Sequence, residues 1–124
     1  MTDPVRVTRP LATGRDDVCV LAWAGQLDHS NAQRLRGDLQ RFLLPEHSHL
    51  VLDLAGLSFA DSTGVRIILA LRREILQRDG VIALAALNDR VSRLLEITGL
   101  TQAFSVHPST EQALSALPQP HQSV

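Results

Sequence analysis

The chain has 124 residues, 44% hydrophobic and 20% charged, enough apolar material in one stretch of this length for a single globular domain with its own core. Its formal net charge of −1 gives no electrostatic basis for binding nucleic acid. All twelve basic residues are arginines, which excludes a P-loop lysine, a Schiff base and the lysine partner of a receiver-type aspartyl phosphate, and the one cysteine cannot form an internal disulfide.

The N-terminus lacks the charged-then-apolar order of a signal peptide, and no apolar run approaches the length of a membrane span, so the chain is expected to be cytoplasmic and away from membranes. The spacing of His, Cys, Asp and Glu suggests no metal cluster. Val5 and Val7 alternate with Arg6 and Thr8 as an edge strand would, and Pro10 and Gly14 then predict a turn. Residues 18–24, VCVLAWA, read as a buried strand in which Cys19 is an inert core thiol. Gly25-Gln26-Leu27-Asp28 leaves that strand, and Asp28, Ser30 and Asn31 offer capping chemistry for a helix. Its apolar face is Ala32, Leu35, Leu39, Phe42 and Leu43, and Pro45 stops it.

The centre of the chain changes its hydrophobic period. Residues 50–54, LVLDL, are short, apolar and broken only by Asp53, as expected of a parallel strand buried on both faces. From Val65 onward, Val65, Ile68, Leu69, Leu71, Ile75 and Leu76 recur mostly at helical spacing. Between them, residues 58–64 predict a loop in which Asp61, Ser62 and Thr63 are good helix-starting residues. Two readings of that loop stand side by side: a plain helix cap, or a hydroxyl placed where free N–H groups and the helix dipole favour an added phosphate.

Asp79-Gly80 is expected to close this helix through a left-handed glycine. Residues 81–87, VIALAAL, predict another strand buried on both faces, followed by a helix capped by Asn88 and Asp89. Val91, Leu94, Leu95 and Ile97 form its apolar stripe and Gly99 ends it. A short strand over residues 103–106 precedes a fourth helix started by Ser109 with Gln112 at capping-box spacing, running to Leu117. Alternating strands and helices imply an α/β domain over residues 1–117, a mostly parallel or mixed sheet covered by about four helices, with 118–124 as a frayed tail. In such sheets sites gather at the carboxyl ends of the strands, where GQLD and ADSTG stand.

These residues carry a resemblance. Gly25-Gln26-Leu27-Asp28, Leu52-Asp53-Leu54 with Leu57-Ser58-Phe59, Asp61-Ser62-Thr63-Gly64, and Ile97-Thr98-Gly99-Leu100 with Phe104 resemble the STAS domain proteins, and within them the bacterial anti-sigma factor antagonists. The resemblance spans residues 5–117 and implies a partner switch in place of an enzyme. It implies that Ser62 is phosphorylated by a partner that is both serine kinase and anti-sigma factor, that the unphosphorylated form binds this partner and frees a sigma factor, and that a PP2C-like phosphatase restores it. No cofactor is implied for the chain itself, since ATP is used by the kinase. Asp28 and Asp61 carry over as residues beside the acceptor, and Thr63 is a second hydroxyl next to it.

Arg66, Ala70, Arg73 and Gln77 continue the row that starts at Ser62 on the helix face away from the core, and this row is expected to be part of the docking surface. Together with the residues that the resemblance implies, the expected partner-binding set is Asp28, Asp61, Ser62, Thr63, Gly64, Arg66 and Arg73. For Arg73 and Gln77 a merely solvated face fits equally well. Two positions depart from the family pattern: Gln26 replaces a glutamate, and Arg66 replaces a small glycine one turn from Ser62, where it could pair with a phosphate. A hydrolase finds little support, because Ser62 lacks the G-x-S-x-G elbow and spacing ties none of the five histidines to it, His29 reading as a surface residue at a helix start. A STAS domain used as a non-switching module, serving a stressosome-like scaffold or a transporter, is the remaining alternative.

Overall fold

A computed structural model of the chain describes residues 4–9 and 15–118. The turn expected at Pro10 to Gly14, and residues 119–124 of the expected tail, lie outside the described residues. In chain order the elements are β1 (Arg6–Thr8), β2 (Val18–Leu27), α1 (Ala32–Phe42), β3 (His49–Ala60), α2 (Ser62–Gln77), β4 (Ile82–Ala85), α3 (Asp89–Ile97), a single 3-10 turn (Thr101–Ala103), β5 (Ser105–His107) and α4 (Thr110–Ala116).

The five strands form one sheet in the order β1-β2-β3-β4-β5, with β1 antiparallel to β2 and every other pair parallel. Parallel crossovers share one hand, so a sheet whose order follows the chain puts its connecting helices on one face. There Leu35 and Leu39 of α1, Ile67, Ile68, Leu71 and Ile75 of α2, and Val91 and Leu95 of α3 join Leu21, Trp23, Leu50, Leu52, Leu54 and Leu84 in the main core. On the opposite face Ala113 and Leu117 cover Val18, Val20, Val51, Ala83 and Ala85. The small residues there let α4 lie close.

The central strand is longer than its apolar run. Both β2 and β3 extend well past the ends that hydrophobicity predicts, to Leu27 and Ala60. Gly25, Gln26, Ser58 and Phe59 are therefore strand residues, and the loop expected over 58–64 shrinks to Asp61 alone. These extensions pair with each other while burying only Leu27 and Leu57: Gly25 is opposite Leu57 and Gln26 opposite Phe59, and Ser58 Oγ donates to the Gly25 carbonyl at 3.1 Å. Register shifts on either side of Ala24 absorb the mismatch, with Gly25 at φ +99°.

Smaller corrections follow from contacts that lie far apart in sequence. Strand β5 is Ser105–His107, later than expected, because residues 101–103 turn as a 3-10 helix held by Arg72, whose Nε donates to the Ala103 carbonyl. At the end of α2 the left-handed residue is Asp79, at φ 56°, and not the expected Gly80. Gly80 is required for another reason: a Cβ there would stand 1.5 Å from the Ser48 carbonyl oxygen. Gly99 does end α3 in the left-handed region, at φ +74°. Leu76 and Ile97, expected in apolar stripes, are 48% and 75% exposed.

Candidate functional site

The register of β2 on β3 pairs Leu27 with Ala60, so the two strands end side by side at the carboxyl edge of the sheet. The next residues are Asp28 and Asp61. The Asp61 N–H donates to the Leu27 carbonyl at 3.3 Å, which carries the strand pairing one step further and sets the Asp28 turn against the start of α2.

Asp61 is the N-cap of α2. Its Oδ1 accepts from the Thr63 N–H at 2.9 Å and the Gly64 N–H at 3.3 Å, while its carbonyl accepts from the Val65 N–H at 3.2 Å. An aspartate in this place satisfies two donors that the helix leaves unpaired and puts negative charge at the positive end of its dipole. Ser62 is then the first helical residue, and it is exposed. Thr63 is partly buried, so Ser62 is the more accessible hydroxyl of the two. Gly64 is buried beneath them: a Cβ at this position would lie 2.9 Å from Leu27 Cδ2 and 3.2 Å from Ala60 Cβ. The first turn of α2 can sit this close to the strand ends only without a side chain there.

The polar residues of the Asp28 turn bind one another, and none caps α1. Asp28 Oδ1 accepts from both the N–H and the hydroxyl of Ser30, at 2.9 and 2.6 Å. Asn31 Oδ1 accepts from the Asp28 N–H, and Asn31 Nδ2 donates to the Gln26 carbonyl at 2.8 Å. Asn31 occupies the N-cap position of α1 without a side-chain cap bond, because its amide is spent on shaping the turn. The Ser30 hydroxyl, followed by the backbone N–H groups of Ser30 and Asn31 and the charge of His29, holds the Asp28 carboxyl below its ordinary range. Asp28 is thus a fixed anion beside the head of α2. His29 itself is exposed in the same turn.

Arg66, Ala70, Arg73 and Gln77 are all exposed and extend the line from Ser62 along α2, as the helical spacing predicts. Other arginines hold the fold together: Arg34 donates to the Val5 carbonyl, Arg72 to Ala103, and Arg78 to the carbonyls of Leu44 and His47. Among the described residues Arg66 and Arg73 have no hydrogen-bond or ion-pair partner, so their guanidinium groups face solvent.

Apolar surface borders this row. Leu69, Arg72, Arg73, Leu76 and Gln77 line a shallow depression of about 380 Å³ on the outer face of α2. Phe59 is 40% exposed two residues before Asp61 and opposite Gln26. A longer groove of about 440 Å³ runs between α1 and α2, walled by Leu39, Leu43, Ile67 and Leu71 with Ala70 on its rim. Nothing local marks Phe59 as exposed, since a residue two places after buried Leu57 falls on the same face of a regular strand. No helix among the described residues is long and apolar enough to cross a membrane, and no group of His, Cys, Asp and Glu among them could hold a metal ion.

The chain has relatives among known proteins. The chain is 31% identical over 101 residues to the anti-sigma F factor antagonist of Paenibacillus polymyxa, covering 81% of this chain and 86% of that protein. It is 32% identical over 83 residues to the anti-sigma-B factor antagonist of Listeria monocytogenes, covering 67% and 73% respectively. The crystal structure of an anti-sigma factor antagonist from Mycobacterium paratuberculosis superposes with a TM-score of 0.76 at 26% identity, over 90% of this chain and 94% of that one. The STAS domain pattern matches residues 9–113, from the end of β1 into α4, and the chain therefore belongs to the STAS domain family.

Proposed function

We propose that the chain is an anti-sigma factor antagonist that works as a phosphorylation-controlled partner switch. Unphosphorylated, it binds an anti-sigma factor that is also a serine kinase and so frees a sigma factor. A phosphate on Ser62 ends that binding, and a PP2C-like phosphatase restores it. The chain itself carries no catalysis in this scheme, and ATP is the kinase's substrate.

The observation that carries this reading is the exposed Ser62 hydroxyl at the first position of α2, flanked by the Asp61 cap and the Asp28 turn. The names of the two relatives support it. The physics gives the switch its sign: a phosphate adds about −1.5 to −2 charges near neutral pH. Added beside the Asp28 carboxylate and the Asp61 cap, on a surface that must lose water when a partner docks, that charge opposes binding through repulsion and desolvation. The row of Arg66 and Arg73, with Phe59 and Leu76 near it, offers the cationic and apolar contacts that a docking surface needs.

The test is capture from the source organism's lysate on immobilised wild-type, Ser62→Ala and Ser62→Glu chains, with mass spectrometry of what each retains. Wild type and Ser62→Ala should hold a serine kinase that Ser62→Glu releases, and incubation with ATP should phosphorylate wild type but not Ser62→Ala. Identical proteins on all three would make Ser62 a helix-start residue only and the chain a static STAS adaptor.

A further inference from the structure

We propose that Arg66 is an intramolecular latch for the phosphate on Ser62, so that phosphorylation withdraws a docking cation as well as adding an anion. This rests on the reading of Ser62 as the phosphate acceptor. The free N–H groups of a helix start are the usual home for such a phosphate. Here two of them are occupied, because the Asp61 carboxylate already accepts from Thr63 and Gly64. A phosphate that took these donors would have to displace one anion with another at the same helix end, with the Asp28 carboxylate on the neighbouring turn. Charge therefore drives it along the helix and away from the cap.

Arg66 is the residue it meets. It lies one turn on, on the same exposed face, where side chains four apart have Cβ atoms about 5–6 Å from each other. Among the described residues its guanidinium has no competing hydrogen bond or ion pair, unlike Arg34, Arg72 and Arg78. A planar guanidinium can take two phosphate oxygens at once, which a lysine cannot. In the unphosphorylated chain Arg66 is free to meet a partner; in the phosphorylated chain it is folded back on Ser62.

The experiment uses the full chain with phosphoserine installed at position 62 during translation, so that no kinase is needed. The phosphate's second pKa is read by 31P NMR in wild type, Arg66→Gln and Arg66→Lys. A partner cation stabilises the dianion, so wild type should titrate lower than Arg66→Gln by about 0.3 unit or more, the size expected of an exposed pair four residues apart. Arg66→Lys should fall between them, and the difference should collapse at about 1 M salt. Equal pKa values in wild type and Arg66→Gln overturn the latch, whatever the lysate experiment finds. A lowered pKa in a chain that no kinase phosphorylates would keep the latch and reject the switch.

Discussion

At the scale of single residues, the site depends on which polar side chains are already committed. Asp61 gives one carboxylate oxygen to two backbone donors, so its structural and electrostatic roles can be separated. Asp61→Ala should lower the stability of the chain in urea unfolding by about 1 kcal/mol, the usual cost of removing a helix cap. Asp61→Asn keeps an acceptor oxygen in place and should stay within a few tenths of a kcal/mol of wild type. If the alanine variant unfolds at the same urea concentration as wild type, the two cap bonds contribute nothing. Residues of this kind were legible in the sequence wherever local chemistry decides the outcome: Asp61, Asn88 and Ser109 all cap the helices that follow them. Asn31 was not, because its amide reaches back to Gln26 and Asp28 instead of forward into the first turn of α1. The same holds for the approach of Asp28 to Asp61, which comes from strand register.

At the scale of elements, hydrophobic period and capping residues located the five strands and four α-helices but misjudged where several of them end and missed the 3-10 turn at Thr101–Ala103. Where glycine and polar residues carry a strand on, the apolar run breaks off before the strand does, as Gly25 and Gln26 in β2 and Gly56 and Ser58 in β3 show. Exposed Leu76 and Ile97 fail in the opposite way: they continue a helical stripe past the edge of what the sheet can cover. The glycines divide along similar lines. Gly37, on the exposed side of α1, has nothing within 4 Å of a built Cβ, so Gly37→Ala should stabilise the chain by about 0.5–1 kcal/mol through helix propensity. Gly80→Ala meets the Ser48 carbonyl at 1.5 Å and should cost roughly 3 kcal/mol or more, the upper end of overpacking, since backbone cannot turn aside as a side chain does. Thermal unfolding of the two variants should bracket wild type, and a Gly80→Ala chain as stable as the parent would show that the approach of α2 to residue 48 is wrong. Sequence alone reads Gly80 as a helix terminator, since nothing local reveals the approach of Ser48, which precedes β3 in the chain.

At the scale of the whole molecule, the two ends of the sheet have opposite characters. The carboxyl edge carries the exposed serine and the fixed Asp28 anion, with Arg66 one turn away along α2. The amino edge is a buried polar joint, in which His47 Nδ1 accepts from the Leu44 N–H at 3.0 Å and His49 Nδ1 accepts from the Val81 N–H at 2.9 Å. Both rings are buried, 3% and 7% exposed. Burial is the main cause that lowers both pKa values; Arg9 and Arg78 add to it at His47 against Glu46, and at His49 Arg15 adds to it while Asp17 opposes it. Protonating either ring would put a hydrogen on the nitrogen that now accepts and would bury a charge, beside Arg9 and Arg78 at His47 and between Asp17 and Arg15 at His49. A histidine whose folded pKa lies below its unfolded value of about 6.5 binds its proton more readily in the unfolded chain. Stability is then full above that unfolded value and is lost as pH falls from it towards the lowered folded value. Asp17, held low chiefly by its hydrogen bonds from Arg15, gives the same sign in a lower window, below about pH 4. The melting temperature should therefore drop between pH 7.5 and 5.5, above the window in which Asp17 acts. In a His47→Asn, His49→Asn chain, which keeps side-chain acceptors without the titration, that slope should flatten. An unchanged slope would place the acid sensitivity elsewhere. Because Ser62 lies at the far edge of the sheet, the same double variant should bind whatever partner the wild-type chain binds at pH 7.5, which separates the stability of the joint from the operation of the switch.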